Sequence, residues 1–160
     1  MENLPFNNIW VLWSHEINDT DYSIHSYKII WEAKNMKDFL DNINKYCEED
    51  WCSKMYFLMR KGISPRYEDS KNINGGSWSF RVNKNYCYTA WISLSIQCMG
   101  ECLLENWDEM RKINGISLSP KNNTTTVRIW SLDKNPNLRL QYPIPNIDQM
   151  KAMFLIWSNA

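Results

Sequence analysis

The stretch Gly62–Trp78, GISPRYEDSKNINGGSW, decides how the rest of the chain is read. Gly62, Gly75 and Gly76 all fall inside it, beside Pro65. Apolar, strand-like sequence lies on both sides, MYFLM before it and WSFRV after it. Glycine opens positive φ and proline fixes its own φ, so the stretch reads as an ordered loop between two strands. In its middle Tyr67 is followed by Glu68 and Asp69. An aromatic face next to a carboxylate can stack on a flat heterocycle and accept hydrogen bonds from its edge.

Working outward, the whole chain of 160 residues is long enough for one domain with a core of its own. Its composition, 44% hydrophobic and 14% aromatic with 9 Trp, is that of a globular protein and not a disordered one. The 18 basic and 18 acidic residues cancel, which excludes tight, sequence-blind binding along a phosphate backbone but leaves room for a single nucleotide in a local pocket. Cys47, Cys52, Cys87, Cys98 and Cys102 form no CxxC pair, and His15 and His25 are far from them in sequence. A zinc site is therefore not expected, and reduced thiols are. No signal peptide is visible in MENLPFNNIW, and no apolar run approaches the ~20 residues of a membrane span. The expectation is a soluble protein of the cytoplasm, or of cytoplasm and nucleus, with residues 1–160 as a single domain and residues 1–7 as an extended arm.

Along the chain, β-branched and aromatic runs predict strands over Asn8–His15, His25–Glu32, Met55–Arg60, Trp78–Val82, Gly115–Ser119 and Val127–Leu132, with a further one over Leu138–Tyr142. Asn35 can cap a helix reaching about Cys47, with Met36, Phe39, Leu40 and Ile43 on one face. Tyr88, Trp91, Ser95, Cys98 and Cys102 follow helical spacing and predict a helix over Tyr88–Leu104. Asn146 can cap a final helix carrying Ile147, Met150, Met153, Phe154 and Trp157. The fold class expected is α+β, with three helices packed on one face of an antiparallel sheet. Trp10, Trp13, Trp78 and Trp91 are expected in the core, whereas Trp130 fits core and site equally.

The order Trp10–Trp13 (WxLW), Gly62–Trp78 (GIxPxxEDxxNxxGGxW), Trp91–Glu101 (W followed by GE) and Ile129–Trp130 (IW) resembles the eukaryotic translation initiation factor 4E family. The resemblance covers the chain to about Leu132. It implies a curved antiparallel sheet backed by three helices on its convex face, with the 7-methylguanosine cap of mRNA bound on the concave face. In that family the methylated guanine is sandwiched between two aromatic rings, with cation–π character, and a glutamate accepts two hydrogen bonds from its edge.

Carried over residue by residue, the resemblance makes Glu68 the guanine-reading carboxylate and puts Tyr67 where the second stacking tryptophan is usual. The first stacking position falls in Asp19–His25: ungapped counting back from Phe39 gives Ser23, and a one-residue shift gives Tyr22, the side chain with the right chemistry. Trp130 matches the residue that lies against the N-methyl group. Lys121 matches a basic phosphate ligand, while Ser77, Asn123 and Thr126 stand where further cations are typical, and Arg128 compensates if its strand turns it inward. Each missing charge-assisted bond is worth about 1.5–3 kcal/mol, so weaker binding than the family norm, or help from a partner, is expected.

The resemblance also implies a dorsal groove for a helical peptide of the scaffold factor 4G or of a repressor, at Pro5, Met36, Leu40 and Ile96. Leu40 stands in place of a usual tryptophan and Ser93 in place of an acid. Two readings follow: a cap-binding initiation factor that recruits the scaffold, or a cap-binding or cap-deficient regulator that does not engage it. An enzyme is not expected, because paired catalytic carboxylates, a Cys/His pair and GxxxxGK are all missing from the sequence. No cofactor or metal is expected either.

Overall fold

In the computed structural model, which describes residues 3–134 and 137–157, seven strands form one sheet in the order β2-β1-β3-β5-β6-β4-β7, every neighbouring pair antiparallel. The strands are β1 (Pro5–His15), β2 (Lys28–Asn35), β3 (Met55–Arg60), β4 (Gly76–Asn83), β5 (Ile113–Lys121), β6 (Thr124–Ser131) and β7 (Met153–Ile156). The helices are α1 (Met36–Ile43), α2 (Cys87–Met99) and the single turn α3 (Trp107–Met110). The sheet is curved, and register breaks in β1/β2 at Leu12–Trp13 and in β5/β6 at Ile113–Gly115 supply bulges that bend it.

Alternation of side chains along each strand divides the apolar residues between two faces. Leu12, Tyr56, Leu58, Ile116, Leu118, Val127 and Ile129 pack with Phe39 and Ile43 of α1 and Ala90, Trp91, Leu94 and Cys98 of α2 in the main core. The opposite register positions, Phe57, Met59 and Trp130, form a second cluster with Trp157, against which Trp13, Tyr27, Met55 and Ile63 pack. A sheet buried on both faces explains why β3 reads as a continuous apolar run with no polar alternation.

Helix ends follow local chemistry. Asn35 caps α1 by accepting from the Asp38 amide at 2.8 Å, as expected, but α1 stops at Ile43, short of Cys47. The chain leaves α2 at Gly100 in a Schellman turn, Cys102 N donating to Gln97 O and Glu101 N to Cys98 O, so the helix ends before Leu104. Glu101 takes the left-handed position at φ 57°, and it is held there by the buried Arg60 guanidinium, whose Nη2 donates to Oε2 at 2.7 Å. Asn8 Nδ2 donates to the same carboxylate at 2.9 Å, and the guanidinium carbon lies 4.6 Å from the Trp10 ring centroid. The glutamate of the GE motif is thus a structural anchor for the end of β3.

The final helix expected from Asn146 is not formed. Asn146 sits at φ 63°, whereas a helix N-cap needs extended backbone; a 3₁₀ turn at Gln149–Lys151 follows, and Met153–Ile156 pair with Ser79–Gly76. The open edge of β4 offers backbone hydrogen bonds and a platform for Phe154, whose ring centroid is 5.0 Å from that of Trp78. Those contacts outweigh the helical spacing of the segment. The third helix is α3. Leu138–Tyr142 contributes only a single bridge, Leu104 to Leu140, in place of the expected strand. Residues 24–26 form a 3₁₀ turn, so β2 begins at Lys28 and not His25, while Pro5–Asn7 of the expected arm belong to β1. Met1 and Glu2 lie outside the described residues.

Candidate functional site

The loop Gly62–Gly75 is shaped by its own short side chains. Gly62 has φ +91°, and a Cβ on Gly75 would sit 1.9 Å from the Ser131 carbonyl oxygen, so one glycine serves conformation and the other close backbone approach. Asp69 accepts from the Ser64 amide (2.9 Å), the Ser64 hydroxyl (2.8 Å) and the Lys71 amide (2.9 Å). Burial works to raise its pKa, but these bonds together hold the carboxyl below the usual range. Asn72, fully buried, donates to the Ser64 and Arg66 carbonyls at 3.0 and 2.7 Å, and Asn114 Nδ2 donates to the Asn72 side-chain oxygen at 2.9 Å. Of the adjacent acids, Asp69 staples the loop and Glu68 is left for other work.

Tyr67 and Glu68 project from this loop into a concave pocket of about 320 Å³. Tyr22 and Tyr27 line it from the β1–β2 connection, Met55 and Phe57 from β3, Ser117 and Ser119 from β5, Arg128 and Trp130 from β6, and Leu155 and Trp157 from the C-terminal segment. Tyr22 and Tyr67 are the exposed aromatic rims, at 51% and 45% accessibility. Tyr22 lies parallel to the buried His15 ring, centroids 4.8 Å apart and planes 5° apart. His15 Nε2 is 2.7 Å from the Asp21 carbonyl oxygen and Nδ1 is 2.8 Å from that of Glu16, fixing the ring under Tyr22. Tyr67 is backed by Trp157, centroids 6.2 Å apart and planes 29° apart, and Trp157 packs on Trp130 at 4.7 Å. Trp130 Nε1 donates to Ser117 Oγ at 2.9 Å, which leaves the ring as a fixed wall.

Charge is sparse and specific. Glu68 Oε2 lies 3.6 Å from Arg66 Nε, a loose pairing at the rim. Burial, then the Glu68 charge, push the Tyr27 hydroxyl up to about 12, so it is a neutral donor at physiological pH. Arg128 shares the inner face with Trp130, and burial depresses its guanidinium.

Of the residues singled out from the sequence, Tyr22, Tyr67, Glu68 and Trp130 come together in this pocket, and Arg128 joins them. Lys121 does not line it; it sits exposed at the end of β5, paired with Thr124. On the helix side, Pro5 pairs with Asn35 at the start of α1, and Met36, Leu40 and Ile96 are at least partly exposed. Ile96 lies in a shallow groove with Tyr88, Ile92, Ser93, Gln97 and Pro145. Sequence reasoning missed Tyr27, Phe57, Ser117, Ser119 and Trp157. Strand alternation was a usable signal for Phe57, Ser117 and Ser119, two serines on one face of an otherwise apolar strand. Trp157 carried none, because its segment reads as helix.

An aromatic clamp with a carboxylate on its rim and a guanidinium on its floor suits a flat, cationic or polarised ring with an anionic tail. The family model described as eukaryotic initiation factor 4E matches residues 5–151, and the chain belongs to that family. Among relatives, eukaryotic translation initiation factor 4E of Candida albicans is 25% identical over 166 residues, 94% of this chain and 78% of the relative. The initiation factor 4E homolog of Acanthamoeba polyphaga mimivirus is 38% identical over 64 residues, 40% of this chain and 24% of the relative. Factor 4E1 of Drosophila melanogaster is 28% identical over 137 residues, with 82% and 51% covered. Among solved structures, Ascaris suum eIF4E-3 in complex with m7G cap superposes with TM-score 0.71 at 24% identity, covering 83% of this chain and 76% of the other. Schistosome eIF4E complexed with m7GpppG and 4E-BP gives 0.75 at 19% identity, covering 84% and 75%. At these identities the structural likeness establishes the fold. Among the described residues no helix is long and apolar enough to cross a membrane.

Proposed function

We propose that this chain binds the 7-methylguanosine cap of mRNA on the concave face of its sheet. Tyr22 and Tyr67 stack on the two faces of the methylated base, Glu68 accepts from its edge, and Trp130 lies against the N-methyl group. The observation that carries this reading is the convergence of these four side chains, drawn from residues 22, 67, 68 and 130, in one pocket of about 320 Å³. Tyrosine rings are smaller than the tryptophans usual in the family, so each stacking contact falls toward the lower part of the ~1–3 kcal/mol range for base–aromatic stacking. Family membership and structural neighbours solved with cap analogues and with 4E-binding proteins support the same reading.

On the opposite face, in this reading, a helical peptide of the scaffold factor 4G or of a 4E-binding repressor docks at Pro5, Met36, Leu40 and Ile96, and the protein acts in translation initiation in the cytoplasm. A second reading, a regulator that binds the cap without engaging the usual scaffold, is favoured by the groove around Ile96, whose lining includes no acidic residue to fix a peptide's donors. The test of cap binding is titration of tryptophan fluorescence with 7-methyl-GTP and with GTP, on wild type and Glu68→Ala. Trp130 and Trp157 report directly from the pocket. Methyl-selective quenching that is lost in the variant is the expected result; equal responses to both nucleotides would sink the proposal. Capture of a scaffold-derived peptide, compared with a repressor-derived one, separates the two readings of the dorsal face.

A further inference from the structure

Two cysteines that belong to no sequence motif meet on the helix side of the sheet. Cys52 closes a 3₁₀ turn at Glu48–Cys52, just before β3, and Cys87 opens α2. They are 35 positions apart, yet their Sγ atoms lie 3.4 Å from each other. All five cysteines are free thiols, and among the described residues this is the one thiol–thiol hydrogen bond. A disulfide holds its sulfurs about 2.05 Å apart, so closing the pair takes about 1.4 Å of side-chain movement. Cys87 belongs to the main core and Cys52 packs against it, so the contact is held from both sides.

The two thiols differ in access. Cys87 is buried, whereas Cys52 is partly exposed. Both line an open cleft of about 470 Å³ between the 3₁₀ turn on one side and Lys84, Asn85 and Tyr88 on the other. The cleft shares no residue with the concave pocket, and it admits a small oxidant to Cys52. Burial, and then the neighbouring Cys52, push the Cys87 thiol up, so it stays protonated. The thiolate is the form that attacks, which gives the first step to Cys52. The other three cysteines lack one requirement or another. Cys98 is fully buried, while the exposed Cys47 and the partly buried Cys102 have no second thiol in contact among the described residues.

We propose that Cys52 and Cys87 form a peroxide-responsive pair, Cys52 taking the oxidation and Cys87 resolving it, and that the resulting disulfide is a reversible brace between the 3₁₀ turn and α2. The oxidant is hydrogen peroxide. The Cys52 thiolate attacks one peroxide oxygen: an S–O bond forms and the O–O bond breaks. The leaving hydroxide takes up the proton that Cys52 released and departs as water. Cys87 Sγ then attacks Cys52 Sγ: an S–S bond forms, the S–O bond breaks, and the displaced hydroxyl carries off the Cys87 proton as a second water. In all, the two thiols lose two electrons and two protons, and the peroxide is reduced to two waters. A dithiol reductant reopens the bond by exchange.

The test exposes the reduced chain to hydrogen peroxide and follows intact mass, thiol count and peptide maps. Wild type is expected to lose about 2 Da and two of its five titratable thiols, with the cross-link mapped to Cys52–Cys87 and reversed by dithiothreitol. Cys87→Ser is expected to accumulate a Cys52 sulfenic acid that dimedone traps, whereas Cys52→Ser leaves Cys87 reduced. Closing the loop restrains the unfolded chain, so oxidised wild type is expected to melt about 5–15 °C above the reduced protein, a rise absent from both serine variants. A wild-type peptide map in which another cysteine is oxidised while Cys52 and Cys87 remain thiols overturns the inference. So does dimedone labelling of Cys52 that is as strong in wild type as in Cys87→Ser. An oxidised wild type that melts no higher than the reduced protein overturns the brace.

Discussion

Replacing Glu101 by alanine removes the acceptor that holds three donors at the end of β3, and the cost can be worked from the contacts. The Glu101 carboxylate is 3% accessible and its partner Arg60 is 12% accessible. Arg60 reaches it with both terminal nitrogens, and Asn8 donates a further bond at 2.9 Å. Breaking a buried pair from one side leaves an uncompensated charge and costs about 3–5 kcal/mol. For a chain of this size about 1 kcal/mol shifts Tm by ~2–4 °C, so Glu101→Ala is expected to lower Tm by roughly 6–20 °C. Glu101→Gly provides an internal control. It loses the same carboxylate but relieves the left-handed backbone at φ 57°, and should recover about 1 kcal/mol relative to alanine. Arg60→Met/Glu101→Ala removes both charges and should be less destabilised than the sum of its parts. Calorimetry or urea denaturation of wild type, Arg60→Met, Glu101→Ala and the double variant completes the cycle, with Glu101→Gly measured beside them. Additive losses in the double variant, or a Tm change under about 3 °C in Glu101→Ala, would refute the reasoning.

Asp69, whose folded carboxyl is held low, binds fewer protons folded than unfolded; its stabilisation is present above the unfolded pKa of about 3.9 and is lost as pH falls through the lower folded value. Asp69→Asn should be less stable than wild type at pH 7 and should lose less between pH ~5 and ~3, read from urea midpoints; parallel curves contradict this. Gly75→Ala forces a Cβ to 1.9 Å from the Ser131 carbonyl oxygen, and a cost of at least about 1–3 kcal/mol is expected, with thermal melting as the check. Trp157→Ala removes the ring behind Tyr67 and should cost about 3–5 kcal/mol of stability, while Trp157→Phe keeps the fold and weakens 7-methyl-GTP binding; unchanged affinity in the phenylalanine variant would remove Trp157 from the site.

Local chemistry made much of the fold readable. The Asn35 cap, the apolar runs of β1, β3 and β6, and the glycine-rich loop all declare themselves within a few residues, because caps, turns and strand alternation act over short distances. Glu68 and Tyr67 were legible for the same reason, being neighbours in that loop. The C-terminal segment was not. Ile147, Met150, Met153, Phe154 and Trp157 satisfy a helical spacing, yet Met153–Ile156 extend along β4, because the open edge at Gly76–Ser79, far upstream in sequence, offers hydrogen bonds and the Trp78 ring. A local pattern holds no information about that edge.

What the chain determined by itself is therefore six of the seven strands, the first two helices, the ordered loop and the pairing of an aromatic ring with a carboxylate at Tyr67–Glu68. Tertiary structure decided which of two adjacent acids is free, since the partners of Asp69 are set by the closure of the loop on Ser64. It also decided that Trp130 and Arg128 face the pocket while Val127 and Ile129 face the helices. The reason is physical: on a sheet buried from both sides either parity satisfies the hydrophobic pattern, and only the packing of helices on one face and aromatic loops on the other selects between them.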